Sequence, residues 1–155
     1  MIERQKGRSI LVCRSRLFSA VKANGSIVKN GYWRLYTSNL NIHLCRLNIA
    51  PPHAYFMSRS LIEEIDGFDE SYKGCEDYDF WLRALGAGYD FNYCADALVY
   101  YRKHGNSMGN AKARAGIYPF DVRVHQKKHE GVYGPGVARL LDDIPGKLAL
   151  ADGAL

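Results

Sequence analysis

The stretch from Gly67 to Arg83, GFDESYKGCEDYDFWLR, places five carboxylates within eleven residues of a chain whose net charge is +5. The aromatic segment that follows has apolar residues at the spacing of one helix face, and acids in a first helical turn complement the helix dipole. The pattern predicts an acidic loop followed by an amphipathic helix that begins near Glu76, with an Asp79–Arg83 pair one turn apart. The acids are Asp69, Glu70, Glu76, Asp77 and Asp79, and the apolar residues are Phe80, Trp81, Ala84 and Leu85.

Length and composition favour one soluble globular domain. The 155 residues are 47% hydrophobic and 24% charged, with no apolar run of membrane-spanning length and no signal-peptide core at the N-terminus. The four cysteines lie far apart without metal-ligand spacing, which favours reduced, mostly buried thiols in a cytosolic protein, with a disulfide as the alternative. We therefore expect a cytoplasmic protein.

Charge is segregated along the chain. Nine basic residues precede residue 50 against one acid, Glu3, whereas residues 63–96 hold ten acids against Lys73 and Arg83. The chain turns basic again between Tyr100 and Arg139. Such segregation favours anionic partners, including an acidic membrane surface on the inner face of the cytoplasmic membrane; a solvated basic surface is the alternative. Nucleic acid ranks last, because RNA-recognition signatures are absent.

The order of patterns predicts an α/β fold with a mixed sheet and flanking helices. Predicted strands are 9–13, 17–23, 53–58, 89–93 and 97–101, with a hairpin turn at Asn24-Gly25, a second turn at Asn30-Gly31 and a strand continuing over 32–36. Ser60 to Glu63 reads as a capping box that starts a short helix ending at Gly67. Residues 40–47 fit neither a helix nor a strand period, so their type stays open.

Several short segments, in this order and spacing, resemble the C-terminal half of family 2 glycosyltransferases of the GT-A fold. They are Asn48-Ile49-Ala50-Pro51, Phe56 to Ser60, Gly67 to Ser71, Glu76 to Arg83, and Tyr101 to Ser107. The resemblance covers about two thirds of the chain and implies a GT-A-like acceptor-side domain over residues 1–108. A basic helical or loop extension, 109–155, would follow it.

The resemblance also implies an activity and its residues. A sugar would pass from a nucleotide-diphosphate sugar to the hydroxyl of a glycan or lipid-linked acceptor, as in polysaccharide biosynthesis. Asp77 would be the general base, kept ionised by helix amides, and Glu76 would position the acceptor. Arg102 and His104 would face the diphosphate or the divalent metal, Mn or Mg, that the family uses. The residues alone favour a helix-start charge pair for Glu76-Asp77 over a base, and Arg102 is equally a solvated cation.

The chain departs from the family in one respect. Its first aspartate is Asp66, so no DxD metal motif precedes the acceptor half. We therefore expect a fragment that binds neither donor nucleotide nor metal alone, and that works with a nucleotide-binding half or as a homo-oligomer. A non-catalytic carbohydrate-binding or assembly module is the alternative function.

Smaller site predictions concern side chains around the acidic stretch. Tyr72 or Tyr78 could offer a stacking platform for a sugar ring. Arg59 would pair with the acidic loop, and His53 would have a surface or packing role.

Overall fold

A computed structural model describes residues 8–33, 35–72, 74–105 and 107. They form an α/β fold with a four-stranded sheet, which confirms the predicted mixed α/β class. The strands are β1 (Ser9–Val21), β2 (Ile27–Tyr32), β3 (Tyr55–Phe56) and β4 (Asp90–Arg102). The helices are α1 (Leu40–Arg46), α2 (Arg59–Glu64) and α3 (Glu76–Gly86), with a 3-10 turn at Pro52–Ala54. The predicted extension, residues 109–155, lies outside the described residues.

Strand β1 is the centre of the sheet. It runs parallel to β4 on one side and antiparallel to β2 and β3 on the other, so the sheet is mixed. The prediction of two strands here is wrong, because residues 14–16 continue the strand. Their side chains alternate as in any strand: Ser15 is buried, and Arg14 and Arg16 extend from the opposite face. The described residues therefore build the sheet on one strand of 13 residues.

Strand β4 is likewise a single strand where two were predicted. Its register with β1 jumps from Cys13↔Cys94 to Arg14↔Leu98. Residues 95–97 are thus an insertion in the ladder, a bulge that strands accommodate with a local bend and no chain break. Ala95 and Asp96, which lie between the two predicted strands, are part of this bulge.

The predicted hairpin turn at Asn24-Gly25 is confirmed, with one difference. Gly25 has φ 78°, whereas Asn24 keeps a negative φ and its side-chain oxygen accepts from the Ser26 amide over 3.1 Å. The second predicted turn is wrong: Gly31 lies inside β2, with φ 118°. Because Leu17 pairs with Gly31 and Phe18 with Lys29, Asn30 is an extra bulged residue.

Segments 32–36 and 53–58 differ from prediction. β2 ends at Tyr32, so the predicted continuation as a strand is wrong. The predicted buried strand at 53–58 reduces to a 3-10 turn and two strand residues, and Phe56 is 75% exposed. Pro52 begins the 3-10 turn, because the fixed φ of proline suits the first helical position and its missing N–H is not needed there.

Helix α1 settles the open segment as a helix, with Leu40 and Leu44 buried. The predicted capping box is wrong, because Ser58 caps α2 and accepts from the Leu61 amide over 3.3 Å while Ser60 lies within the first turn. Helix α2 ends at Glu64, and two left-handed residues follow, Asp66 with φ 59° and the predicted Gly67 with φ 63°.

The core lies between α3 and the sheet. Tyr78, Phe80 and Trp81 are fully buried in α3 and belong to one cluster with Ile10 and Val12 of β1. The Trp81 ring stacks on Tyr55 with centroids 3.9 Å apart and meets Phe91 edge-on. Burial of each such side chain contributes about 1.5–3 kcal/mol, so α3 is fixed firmly on the sheet.

The cysteines are all free thiols, with Cys13 and Cys45 buried and Cys75 and Cys94 partly buried. Burial raises the pKa of Cys45 to about 11 and also raises that of Cys13, so neither thiol is activated. Across the described ranges, no helix has the length and apolarity needed to cross a membrane.

Candidate functional site

The site is built on the first turn of α3. Gly74 has φ 128° and Cys75 φ 60°, so the chain turns sharply before Glu76 begins the helix, as predicted. Cys75 provides no side-chain cap, but its carbonyl accepts the Asp79 amide over 3.1 Å. The second helical residue, Asp77, therefore sits beside amides that have no partner within the helix.

Both carboxylate oxygens of Asp77 accept a hydrogen bond. Oδ1 accepts from the Tyr78 amide over 2.8 Å, and Oδ2 accepts from the Asn48 side-chain amide over 2.9 Å. The Tyr55 hydroxyl donates to the Asn48 carbonyl oxygen over a longer 3.4 Å. Since the Tyr55 ring also stacks on Trp81, this chain of contacts anchors Asp77 to the core.

Asn48 is a site residue that the sequence analysis did not predict. It entered only as the first residue of a resembling segment, 29 positions before the carboxylate it contacts. Neither periodicity nor spacing reveals a contact at that separation. The signal available was the segment itself, whose polar Asn precedes two buried residues, Ile49 and Ala50.

Burial raises the pKa of Asp77, and the neighbouring charge of Glu76 raises it further. Hydrogen bonds from Asn48 and Tyr78 lower the pKa but do not offset the burial. The helix amides therefore do not set the pKa of this carboxyl by themselves, because desolvation exceeds their effect. A carboxylate with a raised pKa is a stronger base once it is ionised.

Asp79, two residues later, has a structural role. It is 0% exposed and its Oδ2 accepts from Arg83 over 2.7 Å, so the predicted i,i+4 pair is confirmed. Arg83 also donates to the carbonyls of Ile65 and Gly67, which ties α3 to the turn after α2. The predicted partner for the acidic loop, Arg59, instead pairs with Glu63 of its own helix over 2.8 Å.

The predicted stacking role of Tyr78 is wrong. Its ring is fully buried and its hydroxyl donates to the Leu44 carbonyl over 2.8 Å. Tyr72 is only partly buried, so its ring stays a candidate platform.

Arg102 and His104 lie at a different element from Asp77, at and just beyond the C-terminal end of β4. Both are exposed. The Lys103 amide between them donates to the Phe18 carbonyl over 2.7 Å, which extends the β1–β4 pairing by one residue. The pairing of β4 with β1 therefore fixes the backbone position of Arg102 and His104 at the C-terminal end of β4.

One segment, 48–55, contacts both Asp77 and the C-terminal part of β4. Its first residue reaches Asp77, while its exposed His53 stacks on Tyr101 with ring centroids 5.4 Å apart. Trp33 meets Tyr101 edge-on at 5.5 Å. Partial desolvation of the ring lowers the pKa of His53, which favours the neutral ring near pH 7. The predicted surface or packing role of His53 is thus confirmed.

The side chains around Asp77 do not fit a divalent metal. The two groups bonded to the carboxylate are N–H donors, so neither of them offers an oxygen ligand to a cation beside Asp77. In the part of the chain that the structure describes, no three His, Cys, Asp or Glu side chains are grouped to hold an ion, His104 included.

Comparison of the chain with protein-family models, with curated proteins and with solved structures gives no match.

Proposed function

We propose that this chain is the acceptor-side part of an inverting glycosyltransferase, with Asp77 as the general base. The observation that carries the proposal is the Asn48–Asp77 hydrogen bond, which holds a partly buried carboxylate at the start of a rigid helix. The contact joins two of the segments on which the family 2 resemblance depends. Arg83, in the same helix, joins a third of these segments by donating to the Gly67 carbonyl.

The chemistry needs a carboxylate that can still accept a proton. Each Asp77 oxygen uses one lone pair on its present donor and retains another. The acceptor hydroxyl would give its proton to Asp77 as its oxygen bonds to the anomeric carbon of the donor sugar. The bond from that carbon to the diphosphate breaks, and its electron pair leaves with the nucleoside diphosphate.

The other predicted residues have supporting roles in this proposal. Glu76 would hold the acceptor beside the base. The Arg102 guanidinium and the His104 ring would face the diphosphate, where donors and positive charge offset the charge that forms on the leaving group. The nucleotide sugar, and the Mn or Mg of the family, would be held by a nucleotide-binding part supplied with this chain.

The test measures transfer and acceptor binding separately. The full chain is mixed with a nucleotide-binding half of a family 2 enzyme, a panel of nucleotide sugars and glycan acceptors, and nucleoside diphosphate release is followed. Asp77→Asn should lower transfer by about 10²–10⁴-fold while acceptor binding, measured by saturation-transfer NMR, stays within about twofold. The control is Asn41→Ala, because Asn41 bonds the Asp90 carboxylate at the start of β4 and not Asp77.

Two results would contradict the proposal. Transfer by Asp77→Asn at the wild-type rate would remove the base assignment. Glycan binding without transfer, with the donor part present and active on its own partner, would favour the non-catalytic module.

A further inference from the structure

One face of the sheet beyond the core carries cations and exposed apolar side chains together. Positions that pair directly across neighbouring strands point to the same face. Arg14 pairs with Leu98, Arg16 with both Tyr100 and Tyr32, and Phe18 with Lys29. We call these residues, with Val21 beside them, the basic ribbon face.

The apolar part of this face is exposed to an unusual degree. Val21 is 61% exposed, Tyr32 53%, Tyr100 48% and Leu98 46%. Phe18, Val21, Lys29 and Tyr100 line an open groove of about 620 Å³. Side chains of this size in one contiguous patch mark an interaction surface, whereas scattered single ones do not.

The residues that define the basic ribbon face include cations and no acid, and Asp96 lies beside them in the bulge of β4. Residues 8–33 and 97–105 contain no Asp or Glu, whereas Arg14, Arg16 and Lys29 project from the basic ribbon face. Arg16 lies over the Tyr32 ring at 4.3 Å, so part of the cationic charge is held against an aromatic ring. The patch is therefore complementary to an apolar surface that carries negative charge.

We propose that the basic ribbon face binds the surface of an anionic lipid bilayer. Tyrosine rings and aliphatic side chains enter the headgroup and acyl boundary, and lysine and arginine meet the anionic headgroups. A second copy of the chain fits less well, because a two-fold contact through this face would bring two sets of cations together. Nucleic acid would leave Val21 and Leu98 without an apolar partner.

The experiment uses the full chain in vesicle flotation, with neutral phosphatidylcholine vesicles and with vesicles of roughly one-third phosphatidylglycerol. We expect flotation with the anionic vesicles alone, weakening as salt rises from about 0.1 M to about 0.5 M. Arg14→Ala with Lys29→Ala should lower the partition coefficient about 25-fold, or about fivefold per cation. Val21→Ser with Leu98→Ser should lower it about tenfold.

Matched controls lie on α2, where Arg59 and Ile62 are also exposed. Arg59→Ala and Ile62→Ser should keep the partition coefficient within about twofold of the wild type, and circular dichroism confirms that every variant is folded. The proposal is overturned if the wild type does not float, or if the ribbon variants bind as the wild type does. It is also overturned by light scattering that shows a dimer dissociated by Val21→Ser, or by an RNA oligonucleotide that binds more tightly than the vesicles.

Discussion

Asn48 donates its side-chain amide to Asp77 over 2.9 Å, across 29 residues of sequence. The contact holds the carboxylate that the acceptor chemistry requires, and it comes from a segment that also reaches the end of β4.

Asn48→Ala should raise the pKa of Asp77 further. In the wild type the Asn48 hydrogen bond stabilises the charged carboxylate, and the variant loses that bond. The pKa is followed by the ¹³C chemical shift of the Asp77 carboxyl during a pH titration. Unfolding should cost about 1 kcal/mol less than in the wild type. Asn41→Ala is the matched control, since Asn41 bonds Asp90, and it should leave the pKa of Asp77 unchanged. An unchanged Asp77 titration in Asn48→Ala would show that the contact does not tune the base.

Asp77→Asn should gain stability relative to the wild type as pH rises. Burial raises the pKa of Asp77 in the folded state, so this carboxyl stabilises the fold fully only below its unfolded pKa of about 4. That contribution is lost as pH rises through the folded pKa. The variant lacks this titration, so the difference in unfolding free energy should grow in its favour from below pH ~4 to neutrality. Urea unfolding at several pH values measures it, and a difference independent of pH would contradict a raised pKa.

Arg83→Met should lower the free energy of unfolding by about 3–5 kcal/mol, because it leaves the Asp79 carboxylate buried without its cation. Arg59→Met removes an ion pair of the same i,i+4 spacing, but its side chains are 90% and 63% exposed, so the loss should be about 0–0.5 kcal/mol. Urea unfolding compares the two. Asp79→Leu combined with Arg83→Met should lose less than Arg83→Met alone, since no charge is then buried. Equal losses for Arg83→Met and Arg59→Met would rule out a buried pair.

Ser58→Ala should lower stability by about 1 kcal/mol, since its hydroxyl caps α2. Ser60→Ala should change it by less than about 0.5 kcal/mol, because Ser60 lies inside the helix. Thermal unfolding of the two variants distinguishes the cap in the structure from the capping box that the sequence suggested. The reverse order of effects would place the helix start at Ser60.

Local chemistry in the sequence was enough to predict several elements. The helix over Glu76–Gly86, the Asp79–Arg83 pair, the turn at Gly25 and the left-handed Gly67 after α2 all depend on residues within a few positions of one another. Helix period, charge at a helix start and glycine at a left-handed φ operate at that range. The α/β class follows from the order of these elements.

Only the tertiary structure decided what distant residues do together. β1 and β4 are continuous because they pair with each other along most of their length. The residues that interrupt the predicted strands are the buried Ser15 in β1 and the bulge at 95–97 in β4. Local pattern cannot show such pairing, because the partner lies some 80 residues away. The acidic stretch shows the same division: the sequence placed Glu76, Asp77 and Asp79 in one turn, and burial then gave them different roles. Asp79 became the partner of Arg83, and Asp77 became a base candidate held by Asn48.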